Sequence, residues 1–190
     1  MRRYLDGLYQ TSGVIAATFL AAICALVVVQ VILNAIDRVS TLATGSAIGL
    51  TIPSYSDFTG FFLTAASFFA LAYTLREGGH IRVVLGIQKL DPVPRRFVEL
   101  WCIGVAAALT AWFAWYAANL VVQSYTYNDL SPGMVPVPIW IPQLPIVLGL
   151  IVLLVALIDD FVTTLTGADP SYLGKQENLL ADHEPDEAEK

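Results

Sequence analysis

The sequence predicts an all-α integral membrane fold of four transmembrane helices, with both termini in the cytoplasm, and three observations carry that expectation. Of its 190 residues, 56% are apolar and 14% charged, and the mean hydropathy is +0.66. A hydrated globular surface needs more charge than this, so lipid must be the solvent for much of the chain. Ionisable side chains disappear over four stretches long enough to cross a bilayer, and Lys and Arg collect on one side of them.

Each stretch is bounded by the cost of burying charge, roughly 2.5 to 3.5 kcal/mol for an Asp, Lys or Arg at a helix centre. The first span, about 13–36, lies between Asp6 and Asp37. As a helix it rises roughly 36 Å, enough for a hydrocarbon core of about 30 Å. Arg2 and Arg3 precede it as they would a cleaved signal, but the apolar run far exceeds an h-region of about 7 to 15 residues. Ile23 also stands where a lipoprotein site at Cys24 would want a small residue. The second span, about 58–75, runs between Asp57 and Arg76, the third, about 100–122, follows Glu99, and the fourth, about 139–158, ends at Asp159 and Asp160. Cys24 and Cys102 fall inside spans, where a buried apolar thiol is expected in place of a disulfide or metal ligand.

The connections complete the outline. Tyr4, Leu5, Leu8 and Tyr9 lie at helical spacing and predict an interfacial amphipathic turn before the first span. The Ser-, Thr-, Gly- and Ala-rich stretch ending at Pro53 reads as an outer loop with a short helix. Gly78 and Gly79 suit a helix C-terminus. From Ile81 to Leu90 the apolar and basic residues separate onto two faces, predicting a short helix in the cytoplasmic interface between spans two and three. Asp91 before Pro92 reads as an N-cap with proline at the first helical position, so the third helix starts there and runs towards Asn128. Gly13, Ala17, Ala21 and Ala25, then Gly104 with Ala108 and Ala114 with Ala118, repeat every four residues. Such spacing lets another helix approach closely, either within the bundle or from a partner subunit. Trp101, Trp112, Trp115, Tyr116 and Trp140 include interface anchors.

Orientation follows from the positive charge. Arg2, Arg3, Arg76, Arg82, Lys89, Arg95 and Arg96 lie before the first span or between the second and third, whereas the other two loops hold only Arg38. Loops rich in Lys and Arg stay cytoplasmic. The net charge of −6 is a property of the end of the chain: residues 1–158 carry eight basic and seven acidic groups, and the rest carries two basic and nine acidic. Residues 1–165 are accordingly read as the transmembrane domain, and 166–190 as an acidic, disordered cytoplasmic tail. The basic groups are accounted for by topology, so no nucleic-acid partner is expected.

Catalytic chemistry is missing. Intramembrane Asp, Glu or His is functional by default, and the spans contain none. His80 and His183 both lie outside the spans, which disfavours haem held between helices. No phosphate-binding glycine loop, nucleophile elbow or metal-ligand pair is present, so no enzyme, cofactor or metal is expected. The residues by themselves describe a small bundle that binds another membrane protein. They leave open a self-sufficient small transporter working as a dimer, or a membrane anchor of an electron-transfer complex.

Residues 69–101, FALAYTLREGGHIRVVLGIQKLDPVPRRFVELW, narrow the choice. A helix ending in an Arg-containing turn, then Gly79, His80, Ile81, Arg82 and Val83, then a proline-interrupted basic segment, resembles the small membrane subunit of tripartite ATP-independent periplasmic (TRAP) transporters, the DctQ-type family. Arg38 after the first span, Asp57 before the second and Pro138, Ile139 and Trp140 opening the fourth extend the resemblance over most of residues 10–160. The chain departs from the pattern in a longer loop from Val39 to Ser56 and in Asp57 where Glu is common.

The resemblance implies a multi-pass protein of the bacterial inner membrane, a scaffold subunit beside a large membrane subunit that carries the solute. A periplasmic binding protein would deliver that solute, commonly an organic acid. On that reading Arg76, Gly79, His80, Arg82, Arg95 and Arg96 are candidate contacts to the large subunit or to membrane lipids on the cytoplasmic side. Arg38, Asp57 and Trp140 are candidates near the periplasmic side. Each has a plainer reading as well: topology for the arginines, local capping for His80, and snorkelling or helix N-terminal charge for Arg38 and Asp57.

Overall fold

The structure, a computed structural model, describes residues 2–77 and 92–166, with side chains placed for 4–77 and 96–166. Four helices account for most of it: α1 (Arg2–Thr44), α2 (Tyr55–Arg76), α3 (Pro92–Tyr127) and α4 (Trp140–Leu165). Each is long and apolar enough to cross a membrane. The described residues contain no strand beyond one isolated bridge between Leu130 and Pro138. The expected interfacial helix and most of the acidic tail lie outside the described residues.

Two helices are much longer than the spans they contain. At 43 residues α1 would rise about 64 Å, and at 36 residues α3 about 54 Å, against a core of about 30 Å. The amphipathic turn expected around Tyr4 to Tyr9 is part of α1, because no proline or glycine pair interrupts the chain there. At its other end α1 continues to Thr44, where a separate short helix was expected. Thr41 and Thr44 donate to the carbonyls of Asp37 and Ser40, both at 2.8 Å. Gly45 stops the helix in a left-handed conformation (φ +74°), donating its N–H to Thr41 O at 3.0 Å, a conformation that glycine adopts without steric penalty. In α3, Pro92 opens the helix. Asn128 (φ +52°) closes it, with the following N–H of Asp129 reaching back to Ser124 O at 3.1 Å.

The helices alternate in direction and form an open row. In space the order is α1, α2, α4, α3: α2 packs against both α1 and α4, α4 packs against α3, and α1 touches α4 lightly. The α2–α4 seam is close enough to require glycine at 149. A Cβ there would fall 2.6 Å from the backbone carbonyl carbon of Phe68. On α1 the inward face is Tyr9, Ser12, Ala16 and Gln30, positions separated by steps of three, four and fourteen, which is the 3.5-residue period of two helices packed side by side. The four-residue stripe of small residues fits that face only at Gly13, which lies against the Tyr73 ring. Ala17, Ala21 and Ala25 are exposed. A step of four drifts about 40° around a helix, so the stripe turns away from the neighbour. Cys24 and Cys102 are also exposed, so neither is the buried thiol expected.

The apolar core gathers at the end where α1 and α3 begin and α2 and α4 finish. Tyr9, Ala72, Leu75, Ile103, Ala156 and Leu157 form it, one or two residues from each helix. One turn further along, α1 and α2 are joined by a buried hydroxyl, Ser12 Oγ donating to Phe69 O at 2.5 Å.

Candidate functional site

At the core end, the last residue of α2 becomes the centre of an ion cluster. Arg76 Nη2 lies 2.7 Å from Asp6 of α1, and Arg76 Nη1 lies 3.1 Å from Asp159 and 3.6 Å from Asp160 of α4. Its guanidinium stands 4.9 Å over the centroid of the Tyr9 ring, a cation–π geometry. The directions of the helices explain the meeting: α1 runs antiparallel to α2 and begins where α2 ends, and α4 runs parallel to α2 and finishes at the same end. Asp6 and Tyr9 share a face of α1, three residues apart, at the level where α2 ends and α4 nears its own end. The Arg76 side chain is 14% exposed and that of Asp160 2%, while Asp6 remains 61% exposed. The inner pair is thus largely withdrawn from water, and the outer arm is not.

Arg96, one turn into α3, works on backbone. Its Nε donates to Thr164 O at 3.1 Å, and its Nη2 to Thr164 O and Leu165 O at 2.8 and 2.7 Å. The last four carbonyls of a helix have no partner within it, and a cation there also meets the negative end of the helix dipole. Arg96 therefore ties the start of α3 to the end of α4.

The opposite end holds its loops by capturing backbone N–H groups. Gln30, buried on α1, accepts from Ile52 N at 2.9 Å and donates to Thr51 Oγ1 at 3.1 Å and Asn34 Oδ1 at 2.9 Å. Asp37 Oδ1 accepts from the N–H groups of Ile48 and Gly49 at 2.7 and 2.8 Å. Ser54, left-handed at φ +56°, accepts from Val135 N at 3.0 Å. The Asp57 carboxylate packs against Gly133, where a Cβ would displace it. That turn is closed by Ser131 N to Val137 O at 2.8 Å and Ile139 N to Asp129 O at 3.0 Å. Trp140 meets Tyr125 edge to face, centroids 5.7 Å apart.

The candidate residues are thus dispersed. Arg76 and Arg96 are held by separate partners of this chain at one end. Asp57 and Trp140 pack at the turn before α4 at the other, and Arg38 is exposed on α1. Gly79, His80 and Arg82 lie outside the described residues, as does the side chain of Arg95. Sequence reasoning missed Asp6, Tyr9, Asp159 and Asp160 as partners of Arg76, and Gln30 and Asp37 as loop anchors. A signal existed: three carboxylates border spans one and four at the level of a lone arginine ending span two. A glutamine also interrupts a run of valines. Among the described residues no three His, Cys, Asp or Glu are grouped to hold a metal.

The family profile described as Tripartite ATP-independent periplasmic transporters, DctQ component, matches residues 46–167. The C4-dicarboxylate TRAP transporter small permease protein DctQ of Rhodobacter capsulatus is 35% identical over 81 residues, covering 43% of this chain and 35% of that protein. The match thus spans about a third of that relative's length. No solved structure matches. With more than half of its length matched and four helices fit to span, the chain belongs to the DctQ component family of TRAP transporters, a multi-pass inner-membrane transport component and not an enzyme.

Proposed function

We propose that this chain is the stationary small subunit of a TRAP-type importer, binding a large membrane subunit that carries the solute received from a periplasmic binding protein. Membership in the DctQ component family carries the reading. The physical arrangement agrees with it: Arg76 and Arg96 are engaged with carboxylates or backbone of this same chain. An open row of helices leaves long apolar flanks on α1 and α3, broad surfaces on which another membrane protein can rest. The name of the Rhodobacter relative makes a carboxylate solute the first class to try.

In this reading the end bearing the Arg76 cluster faces the cytoplasm, as the positive charge of the segments around it requires. Gln30, Asp37, Ser54 and Asp57 then shape the periplasmic surface offered to the binding protein, with Arg38 beside it. The deciding experiment is coexpression with the genomic neighbours. The full chain is expected to copurify stoichiometrically with a large polytopic subunit and to move no solute when reconstituted alone. A chain that stays solitary beside its neighbour, or that supports uptake by itself, would overturn the reading.

A further inference from the structure

A groove of about 440 Å³ runs along the outside of the α3–α4 pair, lined by Phe97, Leu100, Trp101, Gly104, Val105, Ala108 and Phe161. Its walls are entirely apolar. Gly104 and Ala108 form the floor, with the Phe161 ring 3.5 Å from where a Cβ on Gly104 would stand. From Phe97 to Ala108 the groove rises about 16 Å along α3, about half of a 30 Å hydrocarbon core. It therefore spans one leaflet and stops near the midplane.

The end of the groove nearest the membrane surface is charged. Arg96 lies one turn before Leu100 on the same face of α3, and it bonds to Thr164, one turn beyond Phe161 on α4, so it sits across the mouth. Nε and Nη2 donate to the ends of α4, which leaves Nη1 without a partner among the described residues on an exposed side chain. The mouth also lies near the N-terminus of α3, whose dipole favours negative charge. Trp101, 67% exposed, stands one turn inside, at the depth where amphipathic aromatics meet headgroups.

We infer that this groove is a binding site for one anionic phospholipid, an acyl chain lying against Gly104 and Ala108 and the phosphate meeting the Arg96 guanidinium. The leaflet-deep length favours a lipid chain over a partner helix, which would continue across both leaflets. The inference concerns this chain alone and stands apart from the assignment of its transport partners.

Native mass spectrometry of the full chain, released from bilayers of phosphatidylglycerol and phosphatidylcholine with matched chains, tests it. One phosphatidylglycerol should be retained preferentially. Arg96→Gln should reduce that preference about fivefold, the equivalent of about 1 kcal/mol for a basic residue near an anionic surface. Arg96→Lys keeps the charge while loosening the α4 contacts, and should preserve it. Ala108→Leu, at an exposed position that adds bulk only to the groove, should lower retention of both lipids. Equal retention of the two lipids by the unaltered chain, or a preference indifferent to both Arg96→Gln and Ala108→Leu, overturns the inference. So does an Ala108→Leu chain that keeps its lipid but no longer captures the large subunit, because the groove would then belong to a protein.

Discussion

The two ends of the bundle are held by different chemistry. At one, Arg76 joins three helices through Asp6, Asp159 and Asp160, side chain to side chain. At the other, Gln30, Asp37 and Ser54 reach from helix or helix border to the N–H groups of loops. Each end meets its own demand. Helices that end together carry charge to the membrane surface and must neutralise it among themselves. Irregular loops must satisfy backbone donors that no ladder takes up.

The sharpest test of that contrast is Arg76→Ala. It removes the cation beside the nearly buried Asp160 carboxylate and should lower the unfolding free energy of the purified chain in bicelles by about 3 kcal/mol, the low end for a broken buried pair. Pairing it with Asp160→Ala should restore part of the loss, a non-additivity that reports direct coupling. A loss below about 1 kcal/mol, within the range of surface ion pairs, would mean that the cluster is screened and holds nothing. Next in size, Gly149→Ala should cost about 2 kcal/mol by overpacking, because the atoms in its way are Phe68 backbone. Gly13→Ala should cost less, since the Tyr73 ring can move. Equal costs at the two glycines would show that α2 yields as readily as a side chain.

The loop end should respond more gently. Ser54→Ala or Asp37→Ala should cost about 1 kcal/mol each, and the damage should be local. Hydrogen exchange should quicken at Val135 in the first variant and at Ile48 and Gly49 in the second, with the amides of α4 unchanged. Exchange that quickens throughout would place the loops inside the cooperative unit and erase the contrast. Smallest of all, Arg38→Gln should leave stability within about 0.5 kcal/mol, as for a surface substitution. Raised salt should weaken the Asp6 arm of the cluster, which water reaches, more than the Asp160 arm.

Much of this was legible in the chain. Four helices follow from the cost of charge in lipid, and α3 begins at Pro92 and ends beside Asn128 because proline and a left-handed residue act over one turn. The contacts of Arg76 were not legible. Asp159 stands 83 residues away in the chain, and nothing near an arginine records which carboxylate it will meet. The same holds for Asp57, which reads as a charge at a helix start and proves to lie against Gly133 of a different loop. Of the two uses open to the alanines of α1, packing within the bundle is not the one this fold makes of Ala17, Ala21 and Ala25, whose period does not match the face that packs.

Sequence alone determined the solvent of this protein, the number of its helices and where several of them stop, because burial cost, proline and glycine are properties of single residues and their nearest neighbours. Tertiary structure decided the open order of the helices, the glycine contact at 149 and the choice of partners at both ends. Those depend on which faces meet, and side chains that far apart along the chain interact only once packing has fixed the distance between them.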